Sequence, residues 1–192
     1  FLSHPEMEEL AELRHGVPGR WGDCIKVDFC ASSEALYDFF ERYFAELAEL
    51  FPSRWFHAGL DEAWNIGYCE RCLPVARQRG GEGELCLGNL LQTHRILTRL
   101  GKRMMIWDDM FEYYPEILER VPRDVVMVDW QYQRRVAHCE AHFVNLKRED
   151  RPARYDELGF EYIIAPADYT IGNIRSFCNY ASRFRPLGGL LT

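Results

Sequence analysis

Apolar positions in this chain fall into two patterns that take turns along it. Over residues 33–50, Leu36, Phe39, Phe40, Tyr43, Phe44 and Leu47 recur every three to four positions, the spacing that gathers side chains on one helix face. Ser32 or Ser33 stands where it can cap that helix, Glu34 suits its first turn, and Pro52 stops it. Similar spacing predicts a helix over 85–100, closed by Gly101, and shorter helices over 4–14, 115–120, 134–147 and 173–184. Between them stand short, mostly apolar runs at 54–59, 103–107, 125–130 and 162–165, with another beginning at 188. Runs without polar alternation predict strands buried on both faces.

Strands separated by helices imply an α/β protein with parallel strands and crossover helices. A doubly wound sheet and a barrel both satisfy that pattern. No glycine-rich phosphate loop follows any of the strands, which counts against the nucleotide-binding sheet. Polar and aromatic residues instead gather just after several different strands: Asp61-Glu62, Trp107-Asp108-Asp109, Trp130 with Tyr132, and Asp168-Tyr169. A barrel builds its site from all of its βα loops, so this distribution predicts a partial (β/α)8 TIM barrel with about five of the eight strands. The chain opens on Phe1 and stops at Gly188-Gly189-Leu190-Leu191-Thr192, so residues 1–192 are expected to be the C-terminal portion of a barrel, cut at both ends.

Composition narrows the chemistry. A hydrophobic share of 47% over 192 residues is enough for a core. The formal charge of −7 argues against nucleic acid as partner, because such surfaces carry basic stripes. No apolar run approaches the ~20 residues of a membrane span. The seven cysteines are odd in number and scattered, which fits reduced thiols in a cytoplasmic protein better than a disulfide framework. Among them Cys69 and Cys72 form a Cys-x-x-Cys pair, yet no second pair stands at zinc-site spacing, so two reduced loop thiols are the plainer reading. His138 and His142 lie four apart but lack the His-Glu-x-x-His order, and read as a solvated helix face. No metal or cofactor is expected.

The central motif is His57-Ala58-Gly59-Leu60-Asp61-Glu62, two adjacent carboxylates reached from a buried strand through a glycine. An environment that separates the pKa values of such a pair yields one acid and one anion, as glycoside hydrolysis requires. The motif resembles the His-x-Gly-Gly-Asp-Glu signature of family 20 glycoside hydrolases, the β-N-acetylhexosaminidases. Extended through Ala63-Trp64-Asn65-Ile66-Gly67-Tyr68-Cys69, and joined by Trp107-Asp108-Asp109-Met110 and Trp130-Gln131-Tyr132, it is most similar to the hexosaminidase D branch. Leu60 stands where many members have glycine.

The resemblance implies approximately strands 4 to 8 of the barrel, and exo-hydrolysis of terminal β-linked GlcNAc or GalNAc with the substrate's own acetamido group as nucleophile. Carried over, Glu62 is the general acid and then the base, and Asp61 orients the acetamide and stabilises the oxazolinium-like cation. Tyr132 holds the acetamide carbonyl, Trp107 and Trp130 wall the pocket, and Asp109 binds sugar hydroxyls. His57 supports the site or is a plain core histidine. The implied partner is an N-acetylhexosamine-containing glycan or glycoconjugate. Two rivals stand beside this reading. One is a two-carboxylate retaining glycosidase with Asp109 as the second carboxylate; the other is a sugar-binding barrel with a decayed site.

Overall fold

In the computed structural model, residues 5–13, 17–20, 28–136, 150–168 and 170–192 are described. They divide into two compact units, Phe1–Arg54 with Glu62–Lys102, and Trp55–Asp61 with Arg103–Thr192. Most of the expected helix over 134–147 lies outside the described residues, as do His138, His142 and Tyr169.

The second unit holds the sheet. Its strands are β1 (Trp55–His57), β2 (Arg103–Trp107), β3 (Val126–Trp130), β4 (Tyr162–Ala165) and β5 (Gly188–Gly189). All four pairings are parallel and the strands lie in chain order, β1-β2-β3-β4-β5, with Phe56 beside Met104, Ile106 beside Met127 and Val128 beside Ile163. A doubly wound sheet reverses direction at a switch point, and this one does not. Unreversed order is that of a barrel wall, so the α/β, partial (β/α)8 architecture holds. The apolar runs behave as their composition demands: Val126, Met127, Val128 and even Asp129 are buried on β3.

The first unit is helical. A 3-10 helix, Pro5–Leu10, takes the place of the α-helix expected over 4–14. It is followed by α1 (Glu34–Leu50), α2 (Cys72–Arg79) and α3 (Glu82–Arg99). On α1, Leu36, Phe40 and Phe44 form the buried stripe, with the Phe40 and Phe44 rings stacked 4.8 Å apart. Ser33 occupies the cap position but makes no side-chain capping bond, and the Ser32 oxygen is turned to Cys72 instead. The polar helix α2 has no apolar stripe to betray it. Its Pro74 lies in the first turn, where a missing N–H costs no helical hydrogen bond, and left-handed Gly80 closes it.

Among the described residues, three further helices belong to the sheet-bearing unit: α4 (Met110–Tyr113), α5 (Arg151–Leu158) and α6 (Asn173–Ala181), with Pro115–Arg120 as a 3-10 turn. Residues 147–151 are a charged run of the kind that normally faces solvent, but Arg151 is 4% exposed and opens α5 from inside the unit. It pairs with Asp108 at 2.9 Å and Glu112 at 3.0 Å, and donates to the Asp108 carbonyl at 2.6 Å. The Tyr155 hydroxyl donates to the Asp108 carboxylate at 2.6 Å, and Asp129 is buried in the same field. One guanidinium faces three buried carboxylates, so the acids cannot all ionise freely. Burial pushes the Glu112 carboxyl up to about 8 and Asp129 well above the carboxylate range, with Arg151 opposing both.

Two outcomes follow from this cluster. Arg151→Ala leaves buried anions without their cation and should cost about 3–5 kcal/mol in denaturant unfolding, against under 1 kcal/mol for the exposed Arg95→Ala. Glu112 binds its proton more tightly folded than unfolded, so stability should fall as pH rises from the ordinary glutamate value toward about 8. The slope from one such group is at most ~1.4 kcal/mol per pH unit, and Glu112→Gln should flatten it. An unchanged slope in the variant would assign the pH dependence elsewhere.

Candidate functional site

The first three strands of the second unit each deliver one part of the site at the C-terminal end. β1 ends on His57, β2 on Trp107 and β3 on Trp130, and Tyr132 follows two residues beyond. The strands are neighbours, with His57 beside Met105 and Trp107 beside Val128, so each terminal ring stands two residues beyond the one before and the rings form a staggered row. His57 and Trp107 lie 4.6 Å apart, Trp107 and Trp130 meet edge-on at 6.3 Å, and Trp130 and Tyr132 are 5.0 Å apart. All four side chains are half-buried. The structure therefore brings His57, Trp107, Trp130 and Tyr132 together.

Asp109 sits behind that row. It is buried and its Oδ1 accepts from Trp130 Nε1 at 3.2 Å, which fixes the plane of the indole. Its neighbour Asp108 takes a hydrogen bond from the Trp130 backbone and is held in turn by Arg151. Trp107-Asp108-Asp109 is thus anchored at its middle residue, with Trp107 in the row and Asp109 behind it.

His57 is fixed by its own turn. Its Nδ1 accepts from the Gly59 N–H at 3.1 Å, which leaves the ring proton on Nε2, a buried atom without a partner among the described residues. Burial lowers the His57 pKa, and the nearby Asp61 charge only partly opposes it. Neutral imidazole is the resting form.

Asp61 is exposed at the end of this turn, beside Gly59. The backbone that reaches it is unusual. Gly59 has φ 75°, Leu60 has φ 70° and Glu62 has φ 50°. Left-handed non-glycine residues cost roughly 1–2 kcal/mol each and persist where the surroundings impose them, often at functional sites. Leu60 thus keeps the backbone conformation that glycine adopts most easily.

Glu62 is half-buried and opens the second segment of the helical unit. Its carbonyl accepts from Trp64 N at 2.7 Å. The residues after it are tied down by buried acids: Asp28 accepts from the Asn65 backbone and amide at 3.2 and 2.9 Å, and Glu12 accepts from Cys69 N at 2.8 Å. The two-loop-thiol reading of Cys69 and Cys72 also needs correction, because Cys72 begins α2 and Cys30 lies against both sulfurs.

Two positioning residues escaped the sequence reading. Arg151 was lost in a run of charges. Asn173, fully buried at the start of α6, donates to the carbonyls of Gln131 and Gln133 at 2.8 and 2.6 Å and accepts from Ala167 N at 3.0 Å. It clamps the two residues that flank Tyr132. A polar residue at a helix start after Gly172 reads as a cap, which conceals this role.

Comparison with known proteins identifies a family. The family model for glycosyl hydrolase family 20, catalytic domain, matches residues 10–146. A β-hexosaminidase of Porphyromonas gingivalis is 32% identical over 99 residues, which are 48% of this chain and 12% of that protein. Hexosaminidase D of Bos taurus is 29% identical over 131 residues, covering 65% of this chain and 36% of the relative. The chain thus spans well under half the length of these relatives. In fold, the exo β-N-acetylglucosaminidase of Vibrio harveyi, solved with N-acetylglucosamine, superposes with a TM-score of 0.59 at 20% identity, over 83% of this chain and 23% of that one. A match to the catalytic-domain model over most of the chain, on a sheet of barrel order, places this protein in glycosyl hydrolase family 20.

Proposed function

We propose that this chain carries the acid and acetamide-binding part of an exo-β-N-acetylhexosaminidase acting by substrate-assisted, retaining catalysis. The observation that carries the reading is the row of His57, Trp107, Trp130 and Tyr132 beside Asp61, within a family 20 chain. Aromatic walls suit the methyl and C–H faces of an N-acetyl sugar, and a phenol at their end supplies a hydrogen bond for its carbonyl.

In this reading Glu62 donates its proton to the glycosidic oxygen as the bond from that oxygen to the anomeric carbon breaks. The acetamide oxygen forms the new bond to that carbon, and the aglycone leaves as an alcohol. The resulting oxazolinium carries a positive charge that Asp61 offsets. Tyr132 and the tryptophans hold the acetamide in line, replacing a bimolecular encounter with an intramolecular one. Water then attacks the anomeric carbon, gives its proton to Glu62, and regenerates the acetamide. The two-carboxylate rival needs a second carboxylate about 5–5.5 Å from the acid. Asp109, its candidate, is buried and committed to Trp130 Nε1, which speaks against a nucleophilic role and recasts it as support for the wall.

An aryl β-N-acetylglucosaminide should be hydrolysed and the matching aryl β-glucoside left intact; comparable turnover of the 2-hydroxy substrate would instead support the rival. Glu62→Gln should slow substrates with poor leaving groups by ~10²–10⁴-fold and activated aryl substrates far less. Equal losses on both would remove Glu62 from the role of proton donor.

A further inference from the structure

Four side chains of the helical unit converge outside the carbohydrate chemistry. The ligand atoms of Glu12, Cys30, Cys69 and Cys72 all lie within 4.8 Å of one another. They arrive from three segments. A single antiparallel bridge, Ala11 with Phe29, sets Glu12 and Cys30 side by side, through Glu12 N–H to the Asp28 carbonyl and Cys30 N–H to the Leu10 carbonyl, both at 2.8 Å. Cys69 and Cys72 come from the turn into α2, where Cys72 N–H donates to Cys69 Sγ at 3.4 Å.

Two of the sulfur–sulfur distances match those across a coordination tetrahedron. Zinc–sulfur bonds of about 2.3 Å place two thiolates on one ion roughly 3.8 Å apart. Cys30 Sγ is 3.7 Å from Cys69 Sγ and 3.5 Å from Cys72 Sγ, far outside disulfide distance. Glu12 supplies the fourth corner, with Oε2 3.1 Å from Cys72 Sγ.

Buried cysteines are often no more than small hydrophobes. That account fails here on two points. First, Glu12 is 3% exposed, and a carboxylate is a costly neighbour for apolar thiols. Second, Cys72 Sγ has Cys30 Sγ, Glu12 Oε2 and Ser32 Oγ all within 3.5 Å, three polar partners for one S–H proton. A cation satisfies such a cluster where one proton does not. A cavity of about 410 Å³, whose lining includes Glu12, Tyr68, Cys69 and Arg71, offers a route in from solvent.

We infer that Glu12, Cys30, Cys69 and Cys72 form a structural site for a thiophilic tetrahedral cation, zinc by preference. Each thiol loses its proton to solvent as its sulfur–metal bond forms, Glu12 binds as the carboxylate, and no redox step is involved. Four protein ligands close the coordination sphere, so the ion is structural rather than catalytic. It joins the end of the Pro5–Leu10 turn, the lead into α1 and the start of α2. It thereby stiffens the segment that runs on from Glu62.

The test is a Co²⁺ titration of the full chain, stripped with a chelator and kept under reductant. One equivalent should bind, with a sulfur-to-cobalt charge-transfer band and the visible bands of tetrahedral cobalt, and Zn²⁺ should displace it. Metal should also raise the Tm. Glu12→Gln, nearly isosteric, should weaken binding at least tenfold, and Cys72→Ser should remove the charge-transfer band, while the exposed Cys178→Ser changes neither. If the wild-type chain shows no band, or if Cys30 is joined to Cys69 or Cys72 in the isolated protein by non-reducing mass spectrometry, the inference is overturned. A band that survives Cys30→Ser and Cys72→Ser together overturns it equally.

Discussion

The sheet-bearing unit is organised around one buried cation. Arg151 enters from the first turn of α5 and meets Asp108, a residue 43 positions earlier, by ion pair and by a bond to its backbone carbonyl. Desolvating a guanidinium is expensive, and the compensation has to be geometrically complete. Asp108 and Glu112 supply charge, Tyr155 caps the same carboxylate, and the Trp130 backbone adds another hydrogen bond. Because Asp108 lies between Trp107 and Asp109, anchoring it fixes the half-buried indole on one side and the buried carboxylate behind it on the other. The aromatic row of the site is in this sense displayed by a charge that never reaches solvent.

A second buried polar group repeats the device one strand further on. Asn173 bonds two carbonyls around Tyr132 and one amide beyond β4, so the loops after β3 and β4 are held by a single amide side chain. Loops that present functional groups need such support, since a site loosened by an ångström loses most of its advantage. Both anchors are interior, and both act on backbone as well as side chains. That makes the strand ends rigid without lengthening the strands, which remain only two to five residues long.

The sheet was readable in the sequence because strands buried on both faces leave unbroken apolar runs, and β2 and β4 begin and end where those runs do. The position of the candidate residues along the chain was readable for the same reason, as each stands at or just after the end of a strand. What stayed hidden depends on non-local contact. Arg151 lies among charges, and nothing local distinguishes a buried guanidinium from a solvated one. Polar α2 carries no stripe, and Pro74 reads as a breaker until the helix start is known. Cys30 and Glu12 stand 39 and 57 residues from Cys69, so the Cys-x-x-Cys pair looked solitary until the chain was folded.

The left-handed turn leading to the acidic pair has a further consequence for how that pair can vary. At φ 50°, the residue type best suited to position 62 is glycine, asparagine or aspartate, not glutamate. The chain nonetheless keeps the longer carboxylate and bears the backbone cost. An aspartate there would relax the turn and withdraw the acid by one methylene. Under the proposed role of Glu62, stability and reach then pull in opposite directions at a single residue. Natural variation at such a position is confined less by what the fold tolerates than by how far a proton has to travel.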